Sequence, residues 1–149
     1  MKKFADIPPF WTLGTVLASW LLAGLFPIVT VQLTVLRLLG PILIALAVLM
    51  IVWSGFWFRR KWTSIEPRHT PTALIVEGPY RISRNPIYLA MVVLATGFAV
   101  WLGALTAFLP VIGLAIALHR RFVMPEEAVL LATFEAEAQN YVKNTKRWI

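Results

Sequence analysis

The chain contains no cysteine, only two histidines, and 7 acidic residues against 14 basic ones. Without cysteine there is no disulfide and no thiolate metal site. His69 and His119 lack partners at metal-ligand spacing, so no metal is expected. Charge is missing over long intervals: none lies between Asp6 and Arg37, none in residues 38–58, and none in residues 85–118. A Gly-rich phosphate loop is missing as well, and no polar interval could hold a βαβ unit with its sheet. That excludes Rossmann and P-loop enzymes. There is no internal repeat and no low-complexity tract.

What is present is hydrocarbon: 59% of the 149 residues are hydrophobic and 14% charged, with a mean hydropathy of +0.75. Such values belong to an integral membrane protein. Residues 10–31 are long enough to cross a hydrocarbon core of roughly 30 Å. The run is too long for a signal peptide, and no small-residue cleavage site follows Lys2-Lys3, so it is expected to be retained. Residues 38–58 form a second crossing that ends in Arg59-Arg60-Lys61, a cluster suited to phospholipid headgroups. The third run would make a helix of about 51 Å at 1.5 Å per residue, too long for one crossing. A break near Trp101-Leu102-Gly103 divides it into residues 86–101 and 104–119, a short hairpin.

Four crossings place every basic residue except Arg37 on one face, whereas three would put the C-terminal basic residues opposite the rest. The positive-inside bias therefore predicts four helices with both termini cytoplasmic. The basic excess is thus a membrane-surface feature, and no nucleic-acid partner is expected. The predicted fold is all-α, one integral membrane domain over residues 1–149. It has a cytoplasmic loop at 59–85 and a cytoplasmic amphipathic helix at 125–145, with Leu130, Phe134, Ala138 and Tyr141 as its apolar stripe.

Polar chemistry must therefore come from the two cytoplasmic segments. The first contains Pro67, Pro71, Gly78 and Pro79, which predict an ordered loop, and closes with GPYRISRNPIY at residues 78–88. Asn85 suits a helix cap and Pro86 a first turn. Met124-Pro125-Glu126-Glu127 repeats that grammar, its acids favouring the positive end of a helix dipole. Asn85, Glu126 and Glu127 thus each have a purely structural reading, and Arg81 and Arg84 could simply bind lipid phosphates.

Taken together and in order, these features resemble the isoprenylcysteine carboxyl methyltransferase and phospholipid methyltransferase group of membrane enzymes. The resemblance rests on Thr72-Ala73-Leu74-Ile75 before GPYRISRNPIY, an apolar hairpin, PEEAVL, Phe134, Tyr141, and the closing Arg147-Trp148-Ile149. It implies methyl transfer from S-adenosylmethionine to a lipophilic acceptor, a membrane lipid or membrane-partitioned small molecule, at the cytoplasmic edge of a bacterial or archaeal cell membrane. By similarity, Thr72, Ala73, Leu74 and Ile75 run along the cofactor. Tyr80, Arg84, Asn85, Pro86, Ile87 and Tyr88 complete one half of its pocket, and Glu126 with Glu127 forms the other. Arg121, with Arg120, is expected to orient an anionic acceptor.

The reaction needs alignment and water exclusion, so no catalytic side chain is assigned. Two departures stand out: the family often has His where this chain has Asn85, and a Phe-Gly-x-x-Tyr pattern becomes Phe134-Glu135-Ala136-Glu137-Ala138. The acceptor's nucleophile, whether carboxylate, amine or thiol, stays open. The competing reading is a lipid-binding scaffold or accessory subunit without activity.

Overall fold

A computed structural model describes residues 7–31, 33–64 and 70–149. Lys2, Lys3, Asp6, Pro67 and His69 lie outside them. The first helix, α1, spans Pro8–Leu25 and opens on two prolines, whose missing N–H groups have no partner in a first turn anyway. It stops six residues short of the expected 31, because Pro27 disfavours helical backbone at Phe26. The second helix, α2, covers Thr34–Arg60. It begins before residue 38 and so takes in Arg37.

The third helix, α3, runs Pro86–Leu102 and ends on Gly103 in the left-handed conformation, at φ 69°. The break expected near Trp101 is there for a specific reason. Gly103 approaches the loop between α1 and α2 so closely that a Cβ would stand 2.7 Å from the Val31 carbonyl oxygen. Val31 N–H donates to Gly103 O, and Leu105 N–H returns to the Ile28 and Val29 carbonyls. The two turns at this end of the bundle are therefore stitched together.

After a short 3₁₀ turn, α4 spans Phe108–Leu118, a π turn covers His119–Val123, and α5 continues over Met124–Asn144. A separate helix starting at Pro125 was expected; instead α4 continues through the π turn into α5 without an intervening loop. The wide π turn sits just before Pro125, whose nitrogen has no hydrogen for the carbonyl four residues back. Past Glu135, where φ reaches 37°, α5 bends. Its end returns over the loop, and Ala138 and Tyr141 are buried.

The packing is inverted relative to a protein in water. Ser19, Ser54 and Ser83 are fully buried while Leu49 and Val52 are about two-thirds exposed. Such a surface is stable only against hydrocarbon. Small residues make the contacts: α2 packs chiefly on α3, where a Cβ on Gly40 or Gly97 would come within 2.8 Å of the other's carbonyl oxygen. Ser19 satisfies its hydroxyl on the Ala107 carbonyl at 2.8 Å, tying α1 to the start of α4. Three helical runs, Pro8–Leu25, Thr34–Arg60 and Leu105–Asn144, are long and apolar enough to cross a bilayer, and Pro86–Leu102 is a shorter apolar helix. The chain has the all-α architecture of an integral membrane protein.

Candidate active site

The GPYRISRNPIY stretch folds into two pieces. Gly78–Arg81 is a 3₁₀ turn. Gly78 has φ 59°, and a Cβ there would overlap the Trp57 indole. Only glycine lets the loop lie this close to α2. The turn buries Tyr80 against Leu74, Ile75 and Tyr141, with Phe58 edge-on at 5.9 Å. Tyr141 donates its hydroxyl to the Tyr80 carbonyl at 2.7 Å. Burial pushes both phenols well above the ordinary range, and in Tyr80 the neighbouring Tyr141 and Glu126 add to it. At the loop's outer edge Lys61 holds Glu77 at 2.5 Å, and that hydrogen bond keeps the carboxyl below its ordinary range.

The second piece, residues 83–88, meets both the start of α5 and the end of the chain. Asn85 occupies the helix-cap position, but its side chain makes no cap bond. It donates instead to the Arg147 carbonyl at 3.0 Å. Ser83 donates to the same carbonyl at 3.3 Å, and Arg84 N–H donates to Lys146 O at 3.0 Å. The C-terminal tail is thus strapped across the start of α3.

Glu127 anchors that strap. It accepts from the Arg84 guanidinium at 2.6 Å and from Arg147 at 2.7 and 3.1 Å. Burial alone would raise its carboxyl, but the hydrogen bonds from Arg147 and Arg84 outweigh it and hold the group below the usual range. Arg84, expected at headgroups or cofactor, therefore spends its charge on Glu127. Its Nε nevertheless remains buried without a partner, as do Trp57 Nε1 and His119 Nδ1.

Glu126, one residue earlier, turns to α3 and accepts from the Tyr88 hydroxyl at 2.6 Å. Tyr88 in turn packs on Phe122 of the π turn, ring centroids 6.0 Å apart. Adjacent carboxylates thus have different surroundings: Glu127 is ion-paired by two arginines, while Glu126 is held by a phenol. The remaining expected residues divide as follows. Leu74, Ile75, Pro86 and Tyr88 are buried and Ala73 and Ile87 partly so, with Ile87 packed against the main core. Thr72 is exposed and bonded to Trp62 and Thr63. Arg121 stacks on Trp11 of α1 at 5.2 Å, and Arg120 is exposed.

Arg147 and Ser83 were not expected among the organising residues. The Arg-Trp ending was the signal for the first; nothing in the sequence pairs Ser83 with a carbonyl 64 residues away. His119 was set aside as a metal ligand, and its ring lies 6.2 Å from that of Trp148.

No curated protein and no solved structure matches the chain. The family model for phospholipid methyltransferases matches residues 35–137, an interval that runs from the start of α2 past both glutamates into α5. This covers more than half of the sequence, and the chain belongs to the phospholipid methyltransferase family.

Proposed function

We propose that this protein transfers a methyl group from S-adenosylmethionine to a lipophilic acceptor at the cytoplasmic membrane edge, with four crossings and both termini on that side. Family membership supports the reaction class. The observation that carries the site is the Glu126–Tyr88 pair, a half-buried carboxylate fixed by a short hydrogen bond, next in sequence to the Glu127 that Arg84 pairs while its own Nε has no partner.

That donor set fits the cofactor, which has an ammonium, a carboxylate and an aromatic base. Glu126 is the group to take the ammonium, in a charge-assisted hydrogen bond whose geometry Tyr88 sets in advance. The orphan Nε–H of Arg84 and the Trp57 indole N–H are donors suited to a carboxylate or a ring nitrogen. Leu74, Ile75 and Tyr80 line the apolar side. S-Adenosylmethionine, when bound, would supply an electrophilic methyl carbon, to which the acceptor's nucleophile would bond in line as the carbon–sulfur bond breaks and the neutral thioether leaves.

The protein's own share is binding, orientation and exclusion of water. The strap of residues 145–149 closes over the start of α3, and Glu127 with Arg84 and Arg147 keeps it closed. Arg84 and Arg147 hold Glu127 in that strap, and Glu126 is the carboxylate assigned to the donor. Arg121 and Arg120 stand at the membrane edge, where an anionic acceptor would meet them.

Calorimetry on the protein in lipid nanodiscs tests this directly. Titration with S-adenosylmethionine or its demethylated product is expected to give saturable heat in the wild type. Glu126→Ala should weaken that binding by about tenfold or more, the loss of a charge-assisted hydrogen bond. Absence of binding by either compound to the wild type would sink the reading. The acceptor follows from a labelled-methyl screen over membrane extracts.

A further inference from the structure

Helix α2 ends in a tight turn, in which Trp62 N–H donates to Arg59 O and Thr63 N–H to Phe58 O, both at 3.3 Å. This pairing needs a left-handed residue just past the cap, a place that glycine usually takes because a Cβ is penalised there. Here it is Trp62, at φ 52°. A large side chain in that region is rare, and its backbone cost has to be offset by some contact. Among the described residues the chain supplies none that covers the ring: Trp62 is 91% exposed. The offset has to come from outside the chain.

The length of α2 says what stands there. Arg37 and Arg59 bracket the uncharged run of residues 38–58, and at 1.5 Å per residue they are about 33 Å apart, close to a hydrocarbon core of roughly 30 Å. Each therefore marks one edge of the core. Between them α2 exposes Leu49, Val52 and Phe56, a face suited to acyl chains, and Arg59 and Arg60 beyond it are exposed as well. Trp62 follows directly and falls in the headgroup layer. An indole has an apolar body and one N–H donor, and that layer alone offers hydrocarbon and acceptors together.

The same turn carries the loop of the candidate site. The Thr72 hydroxyl donates to the Trp62 carbonyl at 3.2 Å, and Thr72 N–H donates to the Thr63 hydroxyl at 3.0 Å. Lys61 holds Glu77. Residues 61–63 thus receive both ends of residues 72–77, the segment that brings Leu74 and Ile75 against Tyr80 and Tyr141. From these contacts we infer that Trp62 is an interfacial anchor. Its indole lies in the headgroup layer of a phospholipid bilayer and holds the Thr63–Thr72 clasp, and with it Leu74 and Ile75, at a fixed depth. The anchor requires nothing of the methyl-transfer reading.

Two measurements test it. In the first, the protein is labelled with fluorotryptophan in nanodiscs of dioleoyl phosphatidylcholine and dioleoyl phosphatidylglycerol, and the Trp62 fluorine resonance is assigned by its loss in Trp62→Phe. A lipid with a nitroxide near the headgroup end of its acyl chain should broaden that resonance more than a gadolinium chelate in the water does. Equal broadening by the two, or more by the chelate, overturns the placement.

The second reads the clasp. Trp62→Gly removes the ring and suits left-handed backbone, so the turn itself is kept. Thr72 N–H is bonded only while the clasp is closed, and its exchange with solvent reports opening. In nanodiscs that exchange should rise about tenfold in Trp62→Gly, the order expected for partial burial of one large aromatic side chain. It should stay near the wild-type rate in Trp62→Tyr, which keeps an amphipathic ring. In amphipol, which has no headgroup layer, wild type and Trp62→Gly should exchange alike. An unchanged rate in nanodiscs overturns the anchor, and so does an equal acceleration in both media, which would trace to the backbone freedom of glycine alone.

Discussion

Removing the Glu127 carboxylate should release the C-terminal strap. Its side chain is 15% exposed and Arg84's 12%, so Glu127→Ala leaves a nearly buried guanidinium without its counter-ion. Breaking such a pair costs about 3 kcal/mol. Arg147 is more than twice as exposed, at 35%, and Arg147→Ala leaves the Arg84–Glu127 pair standing, for a cost of about 1 kcal/mol. The readout is local: Arg84 N–H donates to the Lys146 carbonyl, so its exchange with solvent reports strap opening. In nanodiscs at pH 7, Glu127→Ala should speed that exchange by about a hundredfold and Arg147→Ala by less than about tenfold.

The double change Arg84→Met with Glu127→Leu should recover much of the loss, since an apolar pair leaves no buried charge. The pH dependence has a definite sign. Glu127 titrates below its ordinary 4.5 in the folded protein, so its contribution is complete above that pH. It is lost as pH falls through the lower folded value. Equal effects of Glu127→Ala and Arg147→Ala, or an Arg84 amide that exchanges no faster in either, would refute the reasoning.

Other expectations follow from single contacts. Gly78→Ala places a methyl group on the Trp57 indole in left-handed backbone and should cost about 1–3 kcal/mol, visible as a lowered thermal midpoint in detergent. Gly97→Leu pushes α3 off Gly40 and Leu43; overpacking of about 1–3 kcal/mol or more should appear in the same assay. Tyr88→Phe removes the 2.6 Å bond to Glu126 and should weaken donor binding by about tenfold with little loss of stability. Ultraviolet titration should find the Tyr80 and Tyr141 phenols still protonated past pH 10, their ordinary value, since burial raises both.

Much of the site was legible, but unevenly. Pro86 marks a helix start in the expected grammar, and the Trp101–Gly103 break follows from length alone. The continuity of α4 with α5 was not legible, because a π turn has no residue signature comparable to a proline or glycine. Asn85 shows the limit most clearly. Its type and place before Pro86 predict a side-chain cap, yet a backbone carbonyl from the tail is a better partner in the folded chain. Likewise Glu126 and Glu127 are equivalent in the sequence, and only the fold gives the first to Tyr88 and the second to Arg84 and Arg147.

By itself the sequence determined the solvent and the class of fold. Uncharged runs of crossing length cannot be stable in water, and backbone inside hydrocarbon must satisfy its own hydrogen bonds, which leaves helices. It also determined where polar chemistry is allowed, in GPYRISRNPIY and around PEEAVL. Tertiary structure decided the rest: which carboxylate Arg84 and Arg147 hold, which cation stacks on Trp11, and how residues 145–149 return across α3. Those outcomes depend on contacts between residues 20 to 110 positions apart, and the register of one helix against another is set by packing of small residues that local pattern does not encode.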